Sequence, residues 1–129
     1  MIMEKKTRYS DEELEEFREI INKKLALARA EYTELMSRLD NSNNNDVMDT
    51  SPTYKALEEG TEVQQRDEAI AMAQRQHKFI KGLEAALIRI QNKTYGIDRL
   101  TGELIPKERL RAVPHATLSV ESKNKNRNH

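Results

Sequence analysis

The chain has 129 residues, of which 34% are charged and 36% hydrophobic, and it contains neither cysteine nor tryptophan. This much apolar material suits a narrow helical seam, which needs about two apolar positions in seven, better than a broad globular core. The lack of cysteine excludes disulfides, thiolate chemistry and cysteine-based zinc sites. The formal net charge of zero gives no argument for binding to nucleic acid or to a membrane.

Charge is nevertheless segregated along the chain. Residues 40–62 contain six acids and one base, whereas residues 105–129 contain six bases and two acids. Such blocks mark either interaction surfaces or solvated faces. The first residues lack the apolar run of a signal peptide, and no stretch is long enough to span a bilayer. We therefore expect a cytoplasmic protein.

The first long helix is predicted from Ser10 to about Asp40, after a flexible N-terminus at 1–9. Ser10 and Glu13 have the spacing of a capping box. The apolar positions that follow step by three and four, as on one face of a helix. They are Leu14, Phe17, Ile21, Leu25, Ala28, Tyr32, Leu35 and Leu39.

The region 41–61 is predicted to connect two long helices. Its Asn-rich start favours turns over helix. Pro52 either starts a short helix that Gly60 closes, with a new helix opening at Thr61, or starts one continuous helix that tolerates Gly60. The sequence leaves both alternatives open.

A second apolar stripe of similar length follows and should end near Lys93. It comprises Ile70, Ala73, His77, Ile80, Leu83, Leu87 and Ile90. An antiparallel pair is the simplest way to bury both stripes, which predicts a coiled-coil hairpin over 10–94 with its tip at about 41–61. A hairpin of this size needs bracing at its ends, and self-association is another way to brace it.

Residues 95–120 predict a small C-terminal lobe, so the fold class is mainly all-α. The lobe has a turn from Asp98 to Glu103, a short helix from Pro106 to about Ala112, and an extended segment at 116–120. Its core is drawn from Leu100, Leu104, Ile105, Leu110, Val113, Leu118 and Val120. The tail at 121–129 is expected to be disordered.

The lobe resembles that of the DksA/TraR family of bacterial transcription regulators. Family members usually read Tyr/Phe-Gly-x-Cys-x-x-Cys-Gly, then an Ile, an Arg-Leu, an Ala-x-Pro-x-Ala and a final Cys-x-x-Cys. Nine residues stand at the matching places, namely Tyr95, Gly96, Gly102, Ile105, Arg109, Leu110, Ala112, Pro114 and Ala116. The resemblance covers roughly residues 60–122 and implies a zinc-finger-like lobe on the base of the hairpin.

This chain departs from the family at all four cysteine positions. They hold Asp98, Thr101, Ser119 and Ser122. One carboxylate and three hydroxyls are poor ligands for structural zinc, so we expect no zinc and no other cofactor. Apolar packing, the pairing of the turn, and hydrogen bonds from Thr101 and Ser119 must then stabilise the lobe.

The resemblance also implies a partner, because family members bind RNA polymerase directly, without needing DNA. The hairpin tip enters the secondary channel of the polymerase, where tip acids act, often together with guanosine tetraphosphate. The family's tip motif, Asp-x-x-Asp-x-Ala, falls on Lys55, Glu58 and Gly60 and is kept only in part. The candidate tip residues are Asp46, Asp49, Glu58, Glu59 and Gly60, and the candidate lobe surface is Lys107, Arg109 and Arg111.

Three other functions are weighed against this one. A structural or adaptor coiled coil would use the helical stripes to pair with another protein, and a degenerate family member would bind polymerase without an effect on transcription. An enzyme is disfavoured, because there is no phosphate loop, nucleophile elbow or metal-ligand pair at helical spacing. The histidines His77, His115 and His129 form no recognisable set. No sequence-specific DNA binding is expected.

Overall fold

The structure, a computed structural model, describes residues 6–44 and 52–127, without the side chains of 41–44, 52–62 and 126–127. Four helices follow one another in this part of the chain: α1 (Asp11–Asn44), α2 (Pro52–Gln91), α3 (Lys107–Ala112) and α4 (Val120–Arg127). The described residues contain no strand, only an isolated antiparallel bridge between Ile97 and Leu104. The predicted class, a mainly α fold in which two long helices pack together, is confirmed.

Helix α1 begins with the predicted capping box. The backbone N–H of Ser10 donates to Glu13 Oε1 (2.9 Å), and the backbone N–H of Glu13 donates to Ser10 Oγ (3.1 Å). The helix ends at Asn44 rather than near Asp40, so the prediction of its end was wrong. Adding residues to an existing helix is cheap, and the small propensity penalty of Asn and Ser does not stop it.

Helix α2 is continuous from Pro52 to Gln91, which selects the second of the two alternatives for the connection. Gly60 lies inside the helix at a cost of about 1 kcal/mol. The helix ends in a Schellman motif: Thr94 N donates to Arg89 O (2.9 Å) and Lys93 N donates to Ile90 O (3.1 Å). Lys93 takes the left-handed conformation there, with φ of 65°.

The chain forms two compact units. The first, here called the lobe unit, comprises Met1–Ala26 and Lys81–His129, and the second, the helical unit, comprises Leu27–Ile80. Both long helices contribute to each unit. The fully buried side chains of the lobe unit include Phe17, Ile21, Leu83, Tyr95, Ile105 and Leu110.

Three aromatic rings build the centre of the lobe unit. Phe17 lies between Tyr9 and Tyr95, with ring centroids 5.7 Å and 5.3 Å apart. The Tyr95 hydroxyl donates to Pro114 O (2.8 Å), and the Tyr9 hydroxyl donates to Ile105 O. The expectation of a flexible N-terminus over 1–9 is therefore wrong at Tyr9, which is 4% exposed. The free energy gained by burying its ring outweighs the entropy cost of ordering the residues around it.

The prediction of a disordered tail at 121–129 is wrong over 121–127, because α4 occupies Val120–Arg127, while 128–129 lie outside the described residues. Ser119 caps this helix: its Oγ accepts a hydrogen bond from Ser122 N (3.2 Å), and its carbonyl accepts one from Lys123 N (2.9 Å). A serine at the N-cap stabilises a helix by about 1 kcal/mol. The polar composition of the tail conceals this cap.

In the helical unit, α1 and α2 pack as the predicted antiparallel pair. Gln76 Nε2 donates to Ala28 O (3.2 Å) and to Glu31 Oε2 (2.9 Å), and the rings of Tyr32 and His77 lie 5.8 Å apart. Among the helices in the described ranges, none is both long and apolar enough to cross a bilayer.

Two glycines allow a matched test of the Tyr9 contact. Gly96 and Gly102 have nearly equal φ values, 78° and 74°. A Cβ at Gly96 would lie 2.6 Å from a Tyr9 ring carbon, whereas one at Gly102 would have no neighbour within 4 Å. We expect Gly102→Ala to lower the free energy of unfolding by about 1–2 kcal/mol, the cost of the left-handed conformation, and Gly96→Ala to lower it clearly more. Urea denaturation measures both, and equal losses would contradict the packing of Tyr9 against Gly96.

Candidate functional site

The hairpin tip is only partly described by the structure. Asp46 and Asp49 lie outside the described residues. Glu58, Glu59 and Gly60 lie on α2, but the placement of their side chains is not described. The tip as a partner-binding site therefore stays a prediction from the sequence.

The four positions that hold cysteine in the family come together in the lobe, around the carboxylate of Asp98. Oδ1 of Asp98 accepts hydrogen bonds from the backbone N–H groups of Leu100 (2.8 Å) and Thr101 (3.3 Å). Oδ2 accepts from Ser119 N (3.0 Å) and from Ser122 Oγ (2.5 Å). One side chain thus links the turn at 98–101 to the start of α4.

The two remaining hydroxyls act within their own segments, as acceptors. Thr101 Oγ1 accepts from Glu103 N (3.2 Å), and Ser119 Oγ accepts from Ser122 N (3.2 Å). Backbone bonds close the turn itself, because Asp98 N donates to Glu103 O (2.8 Å) and Gly102 N donates to Asp98 O (2.8 Å). Arg99 N adds a bond to Thr117 O (3.0 Å), which ties the turn to the segment before α4.

Asp98 is ionised in this setting although it is only 2% exposed. Burial alone would raise its pKa, but the hydrogen bonds from Ser122, Ser119 and Leu100 outweigh burial and hold the pKa well below its ordinary value. Four donors offset the cost of removing a carboxylate from water. Asp98 therefore does what a central cation does in a metal-bound lobe: it attracts groups from two segments to one point.

These residues do not fit a structural zinc ion. The cluster offers no thiolate and no imidazole, and its polar atoms are engaged with one another. Within 6–44 and 52–127, no group of three or more His, Cys, Asp or Glu side chains is arranged to hold a metal. His77 lies against Tyr32, and His115 packs on Gly82, where a Cβ would lie 3.1 Å from its ring.

The three lobe residues predicted to face a partner all make contacts inside the lobe unit. Lys107 pairs with Glu13 (2.6 Å), and Arg111 pairs with Glu16 (3.2 Å). Arg109 Nε donates to Leu118 O at 3.5 Å. These contacts join α3 to the first two turns of α1 and to the segment before α4. The contact of these residues with a partner stays a prediction.

Glu13 is the centre of the ion pairs at the start of α1. Besides capping the helix, its carboxylate contacts Lys107 and Lys6, and its side chain is 16% exposed. Hydrogen bonds from Lys107, then Lys6 and Ser10, hold the pKa of Glu13 far below its ordinary value. Nearby, Asp11 accepts a hydrogen bond from Lys93 Nζ (2.7 Å), which joins the start of α1 to the end of α2.

Comparison with known proteins shows the fold. No family model matches the chain. The solved structure of transcription factor DksA2 from Pseudomonas aeruginosa aligns with 89% of this chain and 83% of its own, with a TM-score of 0.75 and 23% sequence identity. The chain therefore has the DksA-type fold, as the resemblance implied. A Chlamydia trachomatis structure, titled RNA polymerase binding protein and transcriptional regulator Dks, aligns with 82% of this chain and 90% of its own at 23% identity, but with a TM-score of only 0.36.

One curated protein is similar in sequence. The uncharacterized protein YteA of Bacillus subtilis is 38% identical over 64 residues. The matched segment is 50% of this chain but only 27% of YteA. The similarity therefore concerns a part of the relative and does not extend to its whole length.

Asp98→Asn tests the carboxylate centre. The substituted amide turns one acceptor oxygen into a donor, which leaves buried donors unpaired, so we expect a loss of about 3 kcal/mol of unfolding free energy. Because folding depresses the pKa of Asp98, its contribution is complete above about pH 4 and is lost as the pH falls further. Urea denaturation at several pH values should show a weaker acid dependence in the variant. Glu121→Gln, at an exposed acid on α4, is the control, and equal effects of the two changes would contradict the assignment.

Zinc analysis tests the metal-free lobe. We expect protein purified from zinc-containing medium to hold zinc well below one equivalent, because none of the four positions supplies a thiolate or imidazole. Chelator should leave the melting temperature unchanged. Stoichiometric zinc, or a fall in melting temperature with chelator that zinc reverses, would show that the lobe binds zinc after all.

Proposed function

We propose that this chain is a cytoplasmic bacterial transcription regulator that binds RNA polymerase through the secondary channel. The observation that carries the proposal is the DksA-type fold, which aligns with transcription factor DksA2 over 89% of the chain at a TM-score of 0.75. The nine lobe residues at family positions support it independently. The surface of the described residues consists of long charged helices and carries no set of catalytic groups. This favours a protein that acts by binding a partner rather than by catalysing a reaction.

The long helices provide the reach that this function needs. Helix α1 has 34 residues and α2 has 40, so at about 1.5 Å per residue each extends 50–60 Å. In the proposed complex, the tip acids Glu58 and Glu59, with Asp46 and Asp49, approach the active-centre magnesium of the polymerase. Carboxylates near a bound cation or its ligands change the local field strongly. The protein thereby alters polymerase activity without being an enzyme.

The lobe orients the hairpin at the rim of the channel in this proposal. Lys107 and Arg111 already pair with Glu13 and Glu16, so an acidic surface of the polymerase must compete with these two acids for them. Such competition makes the contact sensitive to salt. Guanosine tetraphosphate bound at the interface with the polymerase is part of the proposal, and sequence-specific DNA recognition is not.

An adaptor or structural coiled coil is the second candidate function. Exposed apolar side chains in the helical unit favour it, with Met36 37% and Met72 49% exposed. It predicts pairing through the helical faces, either with another protein or with a second copy of this chain. A degenerate regulator, the third candidate, predicts polymerase binding that leaves promoter transcription unchanged.

Binding to core RNA polymerase tests the proposal. We expect saturable binding that competes with an established DksA for the secondary channel. Glu58→Ala with Glu59→Ala should weaken the binding several-fold or abolish the effect on transcription, because the changes remove two tip charges. Glu12→Ala with Glu19→Ala removes two exposed acids from the lobe unit and is the matched control. Absence of saturable binding, or binding indifferent both to the tip variant and to Asp98→Asn, would contradict the proposal.

A further inference from the structure

An open apolar groove runs between α1 and α2 in the helical unit. It has a volume of about 460 Å³ and is lined by Tyr32, Met36, Leu39, Ile70, Ala73, Gln74 and His77. Met36 and Ile70 remain 37% and 36% exposed, although they point into it. The other face of the same helices carries Glu31, Glu34, Arg38 and Arg75 beside the apolar side chains of Leu35 and Met72.

Charged residues stand at both ends of this groove. On α1, Arg29 precedes Tyr32 by three residues, and Asp40 follows Met36 by four. On α2, Asp67 precedes Ile70 by three residues, and Lys78 directly follows His77. All four side chains are exposed. The end of the groove near Tyr32 and His77 thus carries Arg29 and Lys78, whereas the end near Leu39 and Ile70 carries Asp40 and Asp67.

The centres of this charge pattern nearly coincide on the two helices. Tyr32 lies level with His77. Because the helices are antiparallel, Met36, four residues after Tyr32, lies level with Ala73, four residues before His77. The midpoint between Arg29 and Asp40 falls between Glu34 and Leu35, and that between Asp67 and Lys78 falls beside Ala73, so the two midpoints lie within about 3 Å of each other along the helix axes. In each helix the two charges are eleven residues apart, or about 16 Å.

We propose that a second copy of this chain covers the groove, in an antiparallel pair with a two-fold axis at the level of Met36 and Ala73. That axis places Lys78 against the partner subunit's Asp67, and Arg29 against the partner subunit's Asp40. Each contact then occurs twice, as an isologous interface requires. The resulting dimer is a four-helix bundle in which Met36 and Ile70 are buried.

The pairing has a consequence for the hairpin. Because it covers α1 and α2, it competes with any partner that encloses these helices, so self-pairing lowers the concentration of free hairpin. This consequence rests on the proposed function, whereas the pairing itself does not. A chain that pairs but binds no polymerase would defeat the proposed function alone, and a chain that binds polymerase but never pairs would defeat only this inference.

Charge reversal tests the arrangement. We expect sedimentation equilibrium of the full chain to show a concentration-dependent dimer. Asp67→Lys and Lys78→Asp alone should each weaken the dimer at least several-fold at low salt, because each creates two like-charge contacts. The double variant should restore it, since the reversed charges again face each other. Arg75→Glu, on the other face of the helices, is the control that should leave the dimer unchanged. A monomer at every concentration, or a double variant no better than the single ones, would overturn the proposal.

Single cysteines test the position of the axis, because the chain has none of its own. Gln74→Cys places a thiol in the groove beside the axis, and Arg75→Cys places one on the other face of the helices. We expect the first variant to form a disulfide dimer much faster than the second under mild oxidation. Equal rates would contradict the two-fold pairing across the groove and would leave the groove available to a different protein.

Discussion

A single buried carboxylate joins the two segments on which the lobe depends. Asp98 accepts hydrogen bonds from its own turn and from Ser119 and Ser122, which are 21 and 24 residues further along the chain. Burying such a charge costs several kcal/mol unless donors surround it. Because its donors come from both segments, the ordering of either segment favours the ordering of the other. A lobe with a structural metal obtains the same coupling from metal binding.

The start of α1 and the end of α2 are connected to this lobe by further contacts. Glu13 combines helix capping with an ion pair to Lys107 on α3, and Tyr9 donates to Ile105 O. Surface ion pairs are worth little one at a time, but these converge on a buried aromatic cluster around Phe17. The lobe unit is therefore stabilised by packing and local charge.

The sequence predicts the helices well because their signals are local. The capping box of Ser10 and Glu13, the two apolar stripes and the short helix after Pro106 all depend on residues within a few positions of one another. The residues at the four cysteine positions indicate a lobe unsuited to zinc, an expectation that the zinc analysis tests. The four-residue error at the end of α1 has the same origin, because turn propensity is only a weak prior.

The features that sequence reasoning missed depend on distant partners. Asp98 is recognisable as a turn residue, but its bonds to Ser119 and Ser122 require the folded lobe. The sequence predicts a flexible end around Tyr9, because the acceptor of its hydroxyl, Ile105 O, lies 96 residues away. The polar composition of α4 predicts disorder, although the N-cap residue Ser119 is a local signal for a helix. The acids of the tip stay predictions from the sequence.

The most direct test of the carboxylate centre is an NMR titration of the Asp98 side-chain carboxyl carbon in the intact protein. The hydrogen bonds of the cluster predict that this carbon shows no protonation shift at pH values where an ordinary exposed carboxyl has titrated. They also predict that the amide signals of Leu100 and Ser119 change together when the lobe unfolds at low pH. A carboxyl that titrates at its ordinary pKa, with those amides unaffected, would contradict the account.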